Sequence, residues 1–137
     1  MSTPIDILNM MMAKDYFSQW LGIEVLEITE GKCKLKMQIK KDMLNGFGIA
    51  HGGITYSFAD SALAFASNSY GKKAVSIETS ISHLVSLLEN DVITAEVFEQ
   101  SNSNKIAIYT VDVIKQATNQ KIAMFKGTVY KTDKNWF

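Results

Sequence analysis

Arginine is absent from this chain of 137 residues, and its 14 basic residues are all lysines. They are balanced by 14 acidic residues, so the formal net charge is zero. A neutral balance argues against nucleic acid or a membrane surface as the main partner. Without a bidentate guanidinium, any phosphate on a ligand must be met by lysine, hydroxyl groups or backbone N–H groups.

Cysteine and long apolar runs are also scarce. Cys33 is the only cysteine, which excludes a disulfide within one chain and a cysteine-rich metal site. No window approaches the ~20 apolar residues that span a bilayer. Asp6, Lys14 and Asp15 interrupt the N-terminus where a signal peptide would need an apolar run, so the cytoplasm is the expected compartment. Histidine and cysteine show no ligand spacing, and we expect neither a metal nor a cofactor.

What the chain does contain is enough apolar sequence for one core. Apolar residues make up 47% of it, and its length predicts a single domain over 1–137. An N-terminal helical segment is predicted over 1–21. It begins at Thr3 and Pro4, because threonine suits the N-cap and proline suits the first helical position.

Six strands and one long helix are predicted after this segment. Two strands, at 23–29 and 32–40, precede a helix over 52–70 that is apolar or small on nearly every side and therefore buried. Four more strands are predicted at 75–82, 91–100, 105–115 and 121–131. Their short connections indicate an antiparallel meander. The expected fold class is α+β, with a curved antiparallel sheet wrapped around one long central helix.

One carboxylate stands alone in the predicted helix. The stretch from His51 to Gly71 reads HGGITYSFADSALAFASNSYG, and Asp60 is its only acidic residue, with no lysine beside it. A charge in so apolar a helix is costly unless something uses it or pairs it. Asp60 is therefore the first candidate for chemistry. The alternative is a structural acid that pairs with a lysine across a subunit contact.

The second candidate is the His51-Gly52-Gly53 triplet at the start of this helix. A helix N-terminus offers free N–H groups and a partial positive charge, and glycine leaves room for close approach. Gly52 can thus donate to a carbonyl that gains negative charge when it is attacked. His51 and Gly53 are candidates for substrate binding, although His51 can also serve simply as a cap.

The spacing of these candidates has a geometric consequence. Asp60 lies eight residues after Gly52, which is roughly 12 Å along a helix axis. One carbonyl cannot lie within about 3 Å of both groups on one rigid helix. The site should therefore combine Gly52 of one subunit with Asp60 of another, across a twofold axis that relates antiparallel helices.

The segment LNGFGIAHGGITYSFADSALAFASNSYG resembles the signature of hotdog-fold acyl-CoA thioesterases, and in particular their phenylacetate-pathway (PaaI-like) branch. The resemblance covers nearly the whole chain, from about Leu21 to Thr132. It implies hydrolysis of an acyl-CoA substrate, with an aryl or medium-chain acyl group. It also implies a homodimer or homotetramer with active sites between subunits.

The resemblance implies roles for individual residues as well. Gly52 offers its N–H to the thioester carbonyl, and Asp60 acts as nucleophile or general base. Asn45 helps to position substrate or water, with the alternative that it only holds its loop through a local turn bond. Ser76 matches a hydroxyl that helps to place the attacking water in some relatives.

One loop departs from the family pattern. Relatives often carry a basic residue, then Pro and Gly-Asp, before the fourth strand, whereas this chain reads HLVSLLEND from His83 to Asp91. The basic residue and the proline are missing, and Asn90 stands where glycine is usual. The sequence thus leaves the groups that hold the CoA phosphates unassigned. His83 has no partner at a suggestive spacing and is interpreted as structural.

Two other functions are compatible with a hotdog domain. A non-catalytic module that binds and senses acyl-CoA would be expected to lose the carboxylate, and Asp60 is present. An enoyl-CoA hydratase relies on a histidine paired with an acid, and no Asp near the helix is followed five residues later by His. Both observations favour the hydrolase.

Overall fold

A computed structural model describes residues 3–137, and two short helices open the chain. They are α1 at Pro4–Lys14 and α2 at Tyr16–Leu21. Thr3 caps α1 through a capping box, as the sequence predicts. α2 ends at Gly22, whose φ of 75° is a left-handed conformation that favours glycine. The predicted helical segment is therefore two helices, and its residues 1 and 2 lie outside the described range.

Six strands and one long helix follow these two. They are β1 (Glu24–Thr29), β2 (Lys32–Gln38), α3 (Gly52–Asn68), β3 (Lys72–His83), β4 (Val92–Asn102), β5 (Ile106–Lys115) and β6 (Gln120–Asn135). A short 3-10 helix at Lys41–Met43 lies between β2 and α3. The strand predicted at 32–40 is present as β2 and alternates, because Cys33, Leu35 and Met37 are buried while the lysines between them are not.

The sheet is antiparallel throughout, with the strand order β1-β2-β4-β5-β6-β3. The predicted four-strand meander is therefore correct for β4, β5 and β6 and wrong for β3. β3 pairs with β6, with Thr79 opposite Gly127, and β4 pairs with β2 instead. Residues 84–91 carry the chain from the edge strand to the other half of the sheet. Strand pattern alone does not encode this choice of neighbour, because each strand's alternation fixes its faces and not its partner.

The sheet wraps around α3, which contacts all six strands. Phe58, Leu63 and Phe65 of this helix are each no more than 1% exposed, so they form the centre of the core. The helix ends at Asn68, two residues before the predicted end. The predicted α+β architecture is confirmed, while the assignment of 1–137 to one domain stays a prediction. None of the helices in the described range is long and apolar enough to span a bilayer.

One face of α3 and one edge of the sheet remain uncovered. Beyond its first residue, the helix residues that are not buried are Gly53, Tyr56, Ser57, Asp60 and Ala64. Because they recur three and four residues apart, they form one stripe, called here the open face. The edge strand β3 runs beside it, since the hydroxyls of Tyr56 and Thr79 are hydrogen-bonded. On this strand Val75 and Ile77 are 55% and 59% exposed.

Candidate active site

The first turn of α3 leaves one backbone donor free. His51 is the N-cap, and its Nδ1 accepts a hydrogen bond of 2.9 Å from the N–H of Gly53. The N–H of Ile54 donates to the carbonyl oxygen of His51. The N–H of Gly52 has no acceptor within the described part of the chain. It is thus a single unpaired donor at the positive end of a 17-residue helix.

This donor borders a cavity of about 240 Å³, called here the Gly52 cavity. The cavity lies between the start of α3 and the loop that follows β3. Its lining carries no carboxylate and no lysine; the lining residues are Asn45, Ile49, Ala50, Gly52, Thr55, His83, Leu84, Val85, Ser86 and Leu87. A neutral, partly polar cavity of this kind suits an uncharged polar group such as a thioester carbonyl.

Asn45 holds its loop with one side-chain atom and leaves the other unpaired within the described residues. Its Oδ1 accepts from the N–H of Phe47 at 2.9 Å and, more weakly, from that of Ile49 at 3.4 Å. This is the loop-holding role given above as the alternative. Its side-chain nitrogen has no partner among residues 3–137, and the residue lines the Gly52 cavity, so that nitrogen remains able to donate to a ligand.

His51 and Gly53 line a second cavity, of about 360 Å³, on the other side of the helix start. It is called here the Gly53 cavity. Its lining residues are Phe17, Asp42, Met43, Leu44, His51, Gly53, Ile54 and Ser57. Because the N–H of Gly53 is bound to His51, these two residues cap the helix, and the N–H of Gly53 is not available to a ligand.

Asp60 stands in the middle of the open face. It is half-buried, and within residues 3–137 its carboxylate has no hydrogen bond and no ion pair. Burial raises its pKa above the ordinary 3.8, and the nearby carboxylate of Asp15 adds to the rise. The carboxylate lines neither cavity. An unpaired, partly desolvated acid of this kind is typical of functional sites.

The structure keeps Gly52 and Asp60 apart within one chain. Both belong to the same unbroken helix, so roughly 12 Å separates them along its axis. Gly52 borders the cavity beside the loop after β3, whereas Asp60 lies on the open face. One protomer alone therefore cannot present both groups to one carbonyl.

Ser76 is exposed on β3 and makes no side-chain hydrogen bond within the described residues. β3 meets α3 through Asn68 near the end of the helix and through Tyr56 farther along it. Ser76 lies between these two contacts along β3. The structure thus places it beside the open face and away from the Gly52 cavity.

Sequence reasoning missed the contact between His83 and the start of α3. If Gly52 carried a Cβ, that atom would lie 3.2 Å from Nε2 of His83, so the imidazole lies directly against the helix start. The two residues are far apart in sequence, and only the pairing of β3 at the edge brings them together. No sequence signal short of the correct strand order could have revealed this contact.

The loop after His83 keeps its turn despite its unusual sequence. Asn90 has a φ of 73°, the left-handed conformation for which glycine is usual. Leu84 and Leu88 are 52% and 57% exposed, so large apolar side chains stand among the polar ones on the surface of the loop. Within residues 3–137, no three His, Cys, Asp or Glu side chains gather as a metal site would require.

Comparison with known proteins agrees with this geometry. A family model described as the thioesterase superfamily matches residues 47–122, which include the helix start, Asp60 and His83. A putative esterase of Archaeoglobus fulgidus is 39% identical over 91% of this chain and 80% of its own length.

The chain belongs to the thioesterase superfamily.

Similarity to PaaI is also evident for this thioesterase. The acyl-coenzyme A thioesterase PaaI of Escherichia coli is 32% identical over 74% of the chain and 72% of its own length. The solved structure of the E. coli PaaI protein from the phenylacetic acid degradation operon has a TM-score of 0.93. It is 27% identical, and the match covers 96% of this chain and 95% of that one. The predicted hotdog fold and PaaI-like resemblance are confirmed.

Because the pKa of Asp60 is raised, we expect the neutral variant Asp60→Asn to be more stable than wild type, by an amount that depends on pH. Because folding raises this pKa, ionisation costs the folded state more than the unfolded state, and stability falls as pH rises through the folded-state pKa. Asp60→Asn removes the cost. We expect a higher melting temperature than wild type at pH 7, with the gain shrinking as pH falls through the raised folded-state pKa and lost below the ordinary value of 3.8. Thermal unfolding across this pH range measures it, and an equal gain at every pH would contradict it.

Proposed function

We propose that this thioesterase hydrolyses acyl-CoA thioesters with aryl or medium-chain acyl groups, at sites shared between two subunits. The observation that carries the proposal is the pair of unused groups on α3. The N–H of Gly52 is an unpaired donor, and Asp60 is an unpaired, half-buried carboxylate two turns along the same helix. Acyl-CoA as the substrate class is supported by the 32% identity to the E. coli acyl-coenzyme A thioesterase.

The proposed assembly follows from the uncovered surfaces. If two α3 helices pack antiparallel through their open faces, Gly52 of each comes level with Asp60 of the partner subunit, and a twofold axis creates two equal sites. The small side chains of the open face, at Gly53, Ser57 and Ala64, permit close approach. The exposed apolar residues of the edge strand β3 would be covered by the same contact. We propose a homodimer, alone or paired into a homotetramer.

The proposed chemistry assigns each group a step. The N–H of Gly52 donates to the thioester carbonyl oxygen, which gains negative charge on attack. Asp60 of the partner subunit either attacks the carbonyl carbon or takes a proton from the attacking water. Asn45 positions substrate or water through its free amide nitrogen. Ser76, which lies on the strand beside the open face, helps to place the water in the assembled site.

The acyl group is proposed to occupy the Gly53 cavity. Its volume of about 360 Å³ and the apolar side chains of Phe17, Leu44 and Ile54 suit an aromatic ring or a medium-length chain. Phe17 is 51% exposed and stacks on Trp20 at a centroid distance of 6.0 Å, so its ring forms an aromatic wall. His51 and Gly53 contribute to the same wall. We retain the cytoplasm as the proposed compartment.

A panel of acyl-CoA substrates tests this assignment. We expect wild-type enzyme to hydrolyse phenylacetyl-CoA and octanoyl-CoA with a higher kcat/KM than acetyl-CoA. Phe17→Ala should lower that preference about tenfold, because loss of the ring removes apolar contact worth roughly 1–3 kcal/mol. Release of free CoA measures each rate.

Tyr16→Ala is the matched control, because Tyr16 precedes Phe17 and is 73% exposed but does not line the cavity. It should leave the preference unchanged. If wild type and Phe17→Ala showed the same preference among acyl groups, the result would contradict the placement of the acyl group in the Gly53 cavity. Binding without CoA release for every thioester would instead favour the acyl-CoA sensor over the hydrolase.

A further inference from the structure

The geometry points to His83 as a second donor to the thioester carbonyl oxygen, acting beside the N–H of Gly52. This inference rests on the role proposed above for Gly52. His83 is the last residue of β3, and it lies on the helix-facing side of that strand together with Thr79 and Ile81. Its ring borders the Gly52 cavity, which places it where the carbonyl would bind.

Distances allow both donors to reach one oxygen. Nε2 of His83 lies 3.2 Å from the point that a Cβ on Gly52 would occupy. That point is about 2.5 Å from the Gly52 nitrogen by standard bond lengths, so Nε2 is at most roughly 5.7 Å from that nitrogen. Two donors, each about 2.9 Å from a shared oxygen, can be this far apart.

The imidazole is also free to act. It makes no hydrogen bond within the described part of the chain, and the Gly52 cavity holds no carboxylate that would compete for its N–H. The polar side chains that share the cavity are those of Asn45, Thr55 and Ser86. The role needs an N–H at Nε2, which the Nε2–H tautomer of the neutral imidazole and the imidazolium both provide.

The role proposed for His83 involves no transfer of a proton. When the attacking oxygen bonds to the carbonyl carbon, the π electrons of the C=O bond move to the oxygen. Nε2–H and the N–H of Gly52 both donate to the resulting negative charge, and both release it when the C–S bond breaks. Such donors stabilise the transition state more than the bound substrate, so their loss lowers kcat and leaves KM nearly unchanged.

Two substitutions separate hydrogen bonding from packing at this position. His83→Phe keeps a ring of similar size and removes the donor, and we expect kcat to fall about 10²-fold with KM within about twofold of wild type. His83→Gln keeps an N–H at similar reach and should retain at least about tenfold more kcat than His83→Phe. Ser82→Ala, on the neighbouring exposed residue of β3, is the control and should match wild type.

A spectroscopic measurement reports on the same hydrogen bond without turnover. In a ketone analogue of acyl-CoA, CH2 replaces the sulfur and the carbonyl remains. Its carbonyl stretching frequency should be lower when bound to wild type than when bound to His83→Phe, because a second donor weakens the C=O bond.

The outcomes distinguish this inference from the proposed function. Wild-type kcat in His83→Phe, with activity still lost in Asp60→Asn, would overturn the role of His83 alone. Equal losses in His83→Phe and His83→Gln, with an unchanged carbonyl frequency, would also overturn it. Full activity in Asp60→Asn would refute the proposed catalytic carboxylate, whatever the His83 variants show.

Discussion

Asp60→Asn should lower kcat for the preferred acyl-CoA by about 10²–10⁴ while the protein stays folded, because amide nitrogen and oxygen can neither attack a thioester nor take a proton efficiently. The structure makes this expectation specific. Within the described residues the carboxylate has no hydrogen bond and no ion pair, so its replacement breaks no structural contact of the chain. The isosteric amide is uncharged, so the variant also avoids the free-energy cost of a half-buried charge.

Asp133→Asn is a matched control for this substitution. Asp133 pairs with Lys105 at 2.6 Å on the surface, and its side chain is 84% exposed. A surface pair of this kind contributes little, so both activity and melting temperature should stay near wild type. Wild-type turnover in Asp60→Asn would exclude Asp60 from the mechanism, and unfolding of that variant would favour the structural-acid alternative.

Gly52→Pro should lower kcat by about 10²–10³, because proline is the one residue that deletes the backbone donor. The backbone there tolerates proline, although the added Cβ would lie 3.2 Å from Nε2 of His83. Gly52 is the first residue of α3, and its N–H has no acceptor among residues 3–137. His51 before it has φ −61° and ψ 136°, the extended conformation that a residue preceding proline adopts. Gly52→Ala adds the same Cβ and keeps the N–H, so the difference between the two variants measures the donor.

Mixing Gly52→Pro with Asp60→Asn then tests the shared site. Each variant alone lacks one group in both of its sites. After random exchange of subunits, half of the dimers are mixed and each holds one intact site of two, so about a quarter of wild-type activity should return. Co-expression with two different tags isolates the mixed dimer directly. If activity stays at the level of the separate variants, Gly52 and Asp60 do not act across a subunit boundary.

The parts of this protein that sequence predicted well are those that depend on neighbours along the chain. The cap at Thr3 and a strand that begins at residue 32 were both predicted and are confirmed. Such features are set within a few residues by helix capping, backbone conformation and the periodic order of apolar side chains. The family resemblance also rested on one contiguous segment, and the match to residues 47–122 confirms it.

The parts that sequence missed depend on pairing across long distances. The strand β3 was predicted beside β4, yet it lies at the edge beside β6. This one difference in strand pairing explains the position of His83 against Gly52. It also explains why β3 is exposed as an edge strand. Alternation along β3 could not decide between these neighbours, because it marks the faces of a strand and not its edges.

Sequence by itself determined which groups are available, namely an isolated carboxylate and a glycine at the helix start. It also determined that one helix cannot bring them together, because the rise per residue fixes the distance between them. Only the tertiary structure decided which of those groups are free. It bound the N–H of Gly53 to His51, engaged Oδ1 of Asn45 in its loop, and left the N–H of Gly52 and the carboxylate of Asp60 without partners in the described chain. The reason is that a hydrogen bond needs two atoms within about 3 Å, and such distances are set by packing in three dimensions.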